Sequence, residues 1–157
     1  MAVGHHLDDD LETILMRALQ GSLKGGGIPK QNGLVLRPLI DVRRAEIDDF
    51  VQSSGLPFMQ DPTNTDQNIL RNRIRKLLPQ IESAVPGTAR NLPLLAGRTA
   101  TAWRYVEAHA RKSVPWCYRS DHLWGIHYSA NADDFWNAPD LVRQEALYKV
   151  YDAIANK

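Results

Sequence analysis

A shortage of strands limits this fold more than any other feature of the sequence. Met1 to Gly4 is short and apolar, like the end of a strand, and Leu34–Val35–Leu36 offers one more. A parallel sheet covered by helices needs more strands than these. Either the chain is mostly helical, or it is part of a larger α/β domain.

Helical signals are plentiful. Asp9 is the expected N-cap of a first helix, with Glu12 three residues on completing a capping-box pair. Leu11, Ile14, Leu15, Ala18 and Leu19 share one face at helical spacing, and Gly21 stops the run. Gly21 to Gly33 holds five of the ten glycines and reads as a mobile loop. A second helix is expected over 42–53, with Ile47, Phe50 and Val51 inward and Gly55 and Pro57 as stop signals. Asp61–Pro62–Thr63–Asn64 is turn chemistry. A third helix is expected over 67–78, with Leu70, Ile74, Leu77, Leu78 and Ile81 on one face. A long helix over 88–111 carries the stripe Leu92, Leu95, Ala96, Thr99, Trp103 and Val106. Segments 116–118 and 123–128 suit a hairpin across Ser120-Asp121. Pro139 opens a last helix through Leu147, Val150, Tyr151 and Ile154.

Composition sets outer bounds. Hydrophobic residues make up 43% of the 157 and charged residues 24%, the balance of a globular protein. The formal net charge of +1 gives no global attraction for nucleic acid, so any such contact must be local. The single cysteine, Cys117, rules out a disulfide framework or a cysteine zinc site within the chain, and between Trp116 and Tyr118 it reads as a small packed hydrophobe. No apolar run has the length of a membrane span and no signal peptide is visible, so the expected location is the cytoplasm.

Chemistry concentrates near the start. Asp8, Asp9, Asp10 and Glu12 lie within five residues, directly after His5 and His6. Like charges this close repel, and such clusters commonly hold a cation or a cationic substrate. A loop that leaves a strand and enters a helix also sits where α/β proteins bind ligands. Residue types alone leave other readings open. The run also suits a solvated first helical turn, where carboxylates favour the helix dipole, or the metal site of a His/Asp phosphohydrolase built from His5, His6, Asp8 and Asp9. The basic run Arg71, Arg73, Arg75 and Lys76 likewise suits a solvated face as well as phosphate contacts.

The stretch Gly4-His5-His6-Leu7-Asp8-Asp9, with Glu12-Thr13, resembles the signature of the tRNA(Ile)-lysidine synthases, members of the PP-loop or N-type ATP pyrophosphatase superfamily. Arg37-Pro38-Leu39-Ile40 with Glu46-Ile47, then Asp61-Pro62-Thr63-Asn64 with Arg71-Asn72-Arg73-Ile74-Arg75, are similar to two further family blocks in the family's order. The resemblance covers about half the chain, Gly4 to Pro79. It implies an α/β start, a partial PP-loop half of the adenine-nucleotide α-hydrolase type over 1–65, followed by a mainly helical tRNA-side region over 66–157. It also implies a ligase reaction. ATP and Mg²⁺ activate C2 of the wobble cytidine of tRNA(Ile), and free L-lysine then displaces AMP to form lysidine.

Carried over residue by residue, Asp9, Glu12 and Arg71 match catalytic positions, with Asp9 also on the metal side. His5, His6 and Asp8 match the nucleotide pocket. Arg73, Arg75 and Lys76 are expected on tRNA phosphates, with Lys24 and Lys30 in the glycine loop as further candidates. Trp103, Trp124 and Trp136 are expected in the core rather than as stacking platforms. Asp10 departs from the family, adding either cation demand or a water-facing charge.

The family's ATP loop, Ser-Gly-Gly-x-Asp-Ser, is not found in these residues, so the chain alone is expected to lack turnover. A related thiolase would be expected to carry more cysteines. A non-catalytic tRNA-binding remnant remains an alternative. The oligomeric state is left open, a homodimer included.

Overall fold

The computed structural model describes residues 1–55, 57, 59, 70–121 and 125–155. The described residues are helix-rich, with six α-helices and two small antiparallel ribbons. They form two compact units, Met1–Ala100 and Thr101–Lys157. The expected turn at 61–64, the start of the third helix at 67, the domain division at 65/66 and Trp124 lie outside the described residues.

In the first unit, helix α1 (Leu7–Leu19) opens at His6 rather than at Asp9. His6 has extended backbone, and its Nδ1 accepts the Asp9 N–H. The Asp9 carboxylate in return accepts the His6 N–H at 3.0 Å. The expected box therefore exists, but it starts three residues earlier. Asp9 occupies the third helical position, and imidazole replaces the usual hydroxyl or carboxylate as cap. Leu11 and Ile14 are buried as expected, whereas Leu19 lies exposed beyond the packed turns.

The glycine loop is tied down rather than free-standing. It contains a 3-10 turn (Leu23–Gly25) and a ribbon of β1 (Gln31–Asn32) with β2 (Val35–Leu36). Gly33 takes the turn between the strands at φ +55°, a conformation most side chains resist. Leu36 also pairs in parallel with Ala2, through Val3 N–H to Leu36 O and Leu36 N–H to Met1 O, both at 2.9 Å. The two strand signals of the first half therefore meet, over a single bridge.

Helix α2 (Arg44–Ser54) buries no residue. Phe50, expected inward, is 64% exposed, because α2 meets the rest of the unit through its N-terminus. Gly55 ends it in the left-handed conformation at φ +62°. Helix α3 (Leu70–Ala84) packs on α1 and buries Asn72 and Ile74. Pro79 lies inside α3 and has no N–H to give to the carbonyl of Arg75, four residues back. Glu82 then accepts the N–H groups of Gly87 and Ala89, at 2.8 and 2.7 Å. Those two bonds hold its carboxyl below the ordinary carboxylate range and fix the entry into α4 (Thr88–Ser113). On α4, Ala96 is buried, while Leu95 points outward.

The second unit packs Ala110, Val114, Ala138, Val142 and Ala146 into a small core, with Trp116 and Phe135 against it. Strands β3 (Cys117–Asp121) and β4 (Gly125–Ser129) form the expected hairpin, but Ser120 and Asp121, expected as its turn, lie within β3 and pair with Ile126 and Gly125. Cys117 is exposed on that ribbon, not packed. Helix α5 (Ala132–Asn137) is capped by Asn131, whose side chain accepts two N–H groups. Helix α6 (Asp140–Ala155) buries Val142, Glu145 and Ala146. Its other apolar side, Leu147, Tyr151 and Ile154, is exposed. Apolar residues run all round α6, so periodicity could not choose the inward face. Trp136, expected in the core, is 67% exposed and lies under the Arg143 guanidinium. No described helix is long and apolar enough to cross a membrane.

Candidate active site

Two helices build the site. On α1, Asp9 and Glu12 are three residues apart and share one side, because that spacing is nearly a full helical turn. On α3, Arg71 and Arg75 are four apart and face them. Arg71 bridges both carboxylates: its Nε donates to Glu12 at 2.7 Å and its terminal nitrogen to Asp9 at 3.0 Å. Arg75 donates through Nε to the other Glu12 oxygen at 2.6 Å, and more weakly to the first at 3.3 Å. It stands 3.9 Å from Asp9.

Glu12 is 1% exposed. Burying a lone carboxylate would cost several kcal/mol, and two guanidiniums offset that cost. Arg75 is held more firmly protonated than an ordinary arginine, chiefly by its hydrogen bond to Glu12, with burial acting the other way. Two negative charges thus meet two positive ones. Arg75, expected on tRNA, belongs to this cluster instead of facing only solvent. Its spacing from Arg71 carried that information, since i and i+4 on a helix serve one surface. Arg73 and Lys76 are exposed on α3.

The neighbouring signature residues do other work. One Asp8 oxygen accepts the Arg44 N–H at 2.7 Å, the first N–H of α2, and the other pairs with Arg43 at 2.9 Å. Asp8 is thereby a cap supplied to α2 from 36 residues away. His6 is committed to capping α1. The Nδ1 of His5 is buried and has no hydrogen-bond partner among the described residues.

Asp10 is turned from water and onto the glycine loop. Its carboxylate accepts the Ile28 N–H and presses on Gly27, where a Cβ would fall inside it. Desolvation raises its pKa, against the Ile28 bond and the Arg17 charge. Arg17 completes the attachment by donating to the carbonyls of Gly26 and Gly27 at 2.6 and 3.0 Å. Of the loop lysines, Lys30 pairs with Asp41 at 2.7 Å.

A divalent cation does not fit the carboxylates as they stand. Both oxygens of Asp9 and both of Glu12 already accept hydrogen bonds from His6, Arg71 or Arg75. Among the described residues, no three His, Cys, Asp or Glu are grouped to hold a metal. The phosphohydrolase reading, which needs such a group from His5, His6, Asp8 and Asp9, is not favoured.

The sequence profile of the PP-loop domain matches residues 1–81, just over half of the chain and the whole of this cluster. The chain belongs to the PP-loop domain family. It is 43% identical over 98% of its length to a tRNA(Ile)-lysidine synthase of Borrelia garinii subsp. bavariensis. It is 40% identical over 73% of its length to one from Geobacter sulfurreducens, and 35% over 98% to one from Bradyrhizobium diazoefficiens. The chain spans 34%, 26% and 45% of the lengths of these three relatives.

Proposed function

We propose that this chain is the amine-side wall of a tRNA(Ile)-lysidine synthase. In that reaction the C2 carbonyl oxygen of the wobble cytidine attacks the α-phosphorus of ATP with loss of pyrophosphate, and the ε-amine of free lysine then attacks C2 with loss of AMP. These residues take the second half. Asp9 and Glu12 hold the ammonium, and a carboxylate beside it accepts the proton that the amine must lose before attack. Arg71 fixes the two carboxylates relative to each other. The nucleotide phosphates fall to the family's Ser-Gly-Gly-x-Asp-Ser loop, which is not among these 157 residues. In the same proposal, the Ala2–Leu36 bridge is the margin of a parallel PP-loop sheet. Arg73 and Lys76 are the phosphate contacts of this reading.

One observation carries the proposal. Arg71 reaches across 59 and 62 positions of sequence to Glu12 and Asp9, joining two separate signature blocks in one salt-bridged cluster. The test is binding of a tRNA(Ile) transcript to the purified chain over a salt series. Binding should weaken steadily with salt and with charge reversal at Arg73 and Lys76. Salt-independent binding, or none, would remove the tRNA side of the proposal. With ATP, Mg²⁺, lysine and transcript, the chain alone should release no pyrophosphate. Release abolished by Asp9→Ala would refute the division of labour.

A further inference from the structure

We propose that Arg75 is a displaceable stand-in for the substrate ammonium, occupying the Asp9–Glu12 face until a primary amine takes its place. The inference rests on the reading of that face as the amine site.

Charge balance makes the case. With Arg71 and Arg75 both in place, the two carboxylates are neutralised and every oxygen is hydrogen-bonded. A third cation has nothing to bind unless one guanidinium leaves. The two arginines are not equally held. Arg71 clamps two carboxylates with two short bonds, through different nitrogens. Arg75 has one short bond, duplicates the Arg71 bond to Glu12 at 3.3 Å, and reaches Asp9 only as a 3.9 Å ion pair with no hydrogen bond. Its side chain is 42% exposed, so water is ready to receive it. Its turn of helix is also the one weakened by Pro79, which leaves the Arg75 carbonyl without the helical N–H. Arg75 is therefore the cation that can swing away while Arg71 keeps the carboxylates in register. An ammonium, compact and with three donors, then hydrogen-bonds Glu12 and Asp9 together, whereas Arg75 hydrogen-bonds only Glu12.

The test uses the chain labelled with ¹⁵N, following the arginine Nε–Hε resonances. The probes are L-lysine, n-butylamine, norleucine as the amine-free side chain, and Mg²⁺ alone. Lysine and butylamine should shift the Arg75 resonance and leave that of Arg71 in place, and norleucine should do neither. Arg75→Gln should bind lysine about tenfold more tightly, because the competing cation is gone. Arg75→Lys, which restores a competing charge, should bind no more tightly than the unaltered chain. If lysine binding depends on Glu12 but is equal in Arg75→Gln and the unaltered chain, the stand-in role fails and the amine site survives. If nothing binds, or Glu12→Gln and Asp9→Asn bind lysine undiminished, the amine site fails and the stand-in role with it. Displacement of Arg75 by Mg²⁺ as readily as by lysine would also overturn the proposal. Circular dichroism of each variant confirms that the fold is retained.

Discussion

Glu12→Gln separates the charge of the site from its shape. The substitution keeps volume and removes the carboxylate that faces two guanidiniums from inside the unit. Hydrogen bonds to charged groups contribute about 1.5–3 kcal/mol each, so two arginine partners set an upper range of roughly 3–6 kcal/mol. That range must be reduced, because the Arg71 and Arg75 side chains are 36% and 42% exposed and water takes up part of what Glu12 releases. A net loss of about 2–3 kcal/mol remains. For a unit of this size each kcal/mol lowers the melting temperature by about 4–8 °C, so a fall of about 8–24 °C is expected. Urea unfolding followed by far-UV circular dichroism measures it, with Arg75→Gln and the double variant closing a thermodynamic cycle. A loss below about 0.5 kcal/mol, or purely additive singles, would show that the α1–α3 cluster is not coupled and refute the geometry.

Other consequences are as direct. Because burial raises the Asp10 pKa, the folded chain holds that proton more tightly than the unfolded chain. Asp10 therefore favours folding at low pH, and its contribution declines as pH rises from the ordinary value of 3.8 through the raised one. Asp10→Asn should flatten the stability–pH profile in that window, and superimposable profiles would reject the assignment. Gly27→Ala should cost about 1–3 kcal/mol by driving a methyl into the Asp10 carboxylate, measured by the same unfolding assay. Asp8→Ala should cost about 1 kcal/mol and speed amide exchange in α2 before α1, since the first N–H of α2 loses its acceptor and Arg43 its ion pair. Unchanged protection in α2 would remove Asp8 as its cap. Finally, reversing Arg73 alone should lower the salt slope of tRNA binding by about one phosphate contact, with no change in unfolding free energy.

Much of the first unit was legible because local signals agreed. The His-His-Leu-Asp-Asp run announced α1 and its cluster, and the apolar positions of α3 named Ile74 as buried. What escaped depended on distant partners. Asp9 looks like a cap because carboxylates usually cap, yet His6 precedes it and accepts the N–H of Asp9 itself. Asp8 is read as a pocket residue until Arg43 and Arg44 arrive at it from the next helix. Arg75 is indistinguishable from Arg73 by composition, and only the turn of the helix separates the site from the surface. Phe50 and Trp136 are large and apolar, but size alone does not supply a surface to cover them. Along α6 the apolar residues encircle the helix, so the pattern holds no direction.

Asp10 and Gly27 show a different kind of dependence. The carboxylate fills the space a side chain at position 27 would need, and its bond to Ile28 fixes the loop at that distance. Neither position is free to change alone. A larger residue at 27 requires a shorter one at 10, and a shorter one at 10 leaves both the Ile28 N–H and a gap to fill. The two positions, seventeen residues apart, therefore form one unit of variation. In an alignment of related chains they should alter together, and in any redesign of the glycine loop they must be exchanged as a pair.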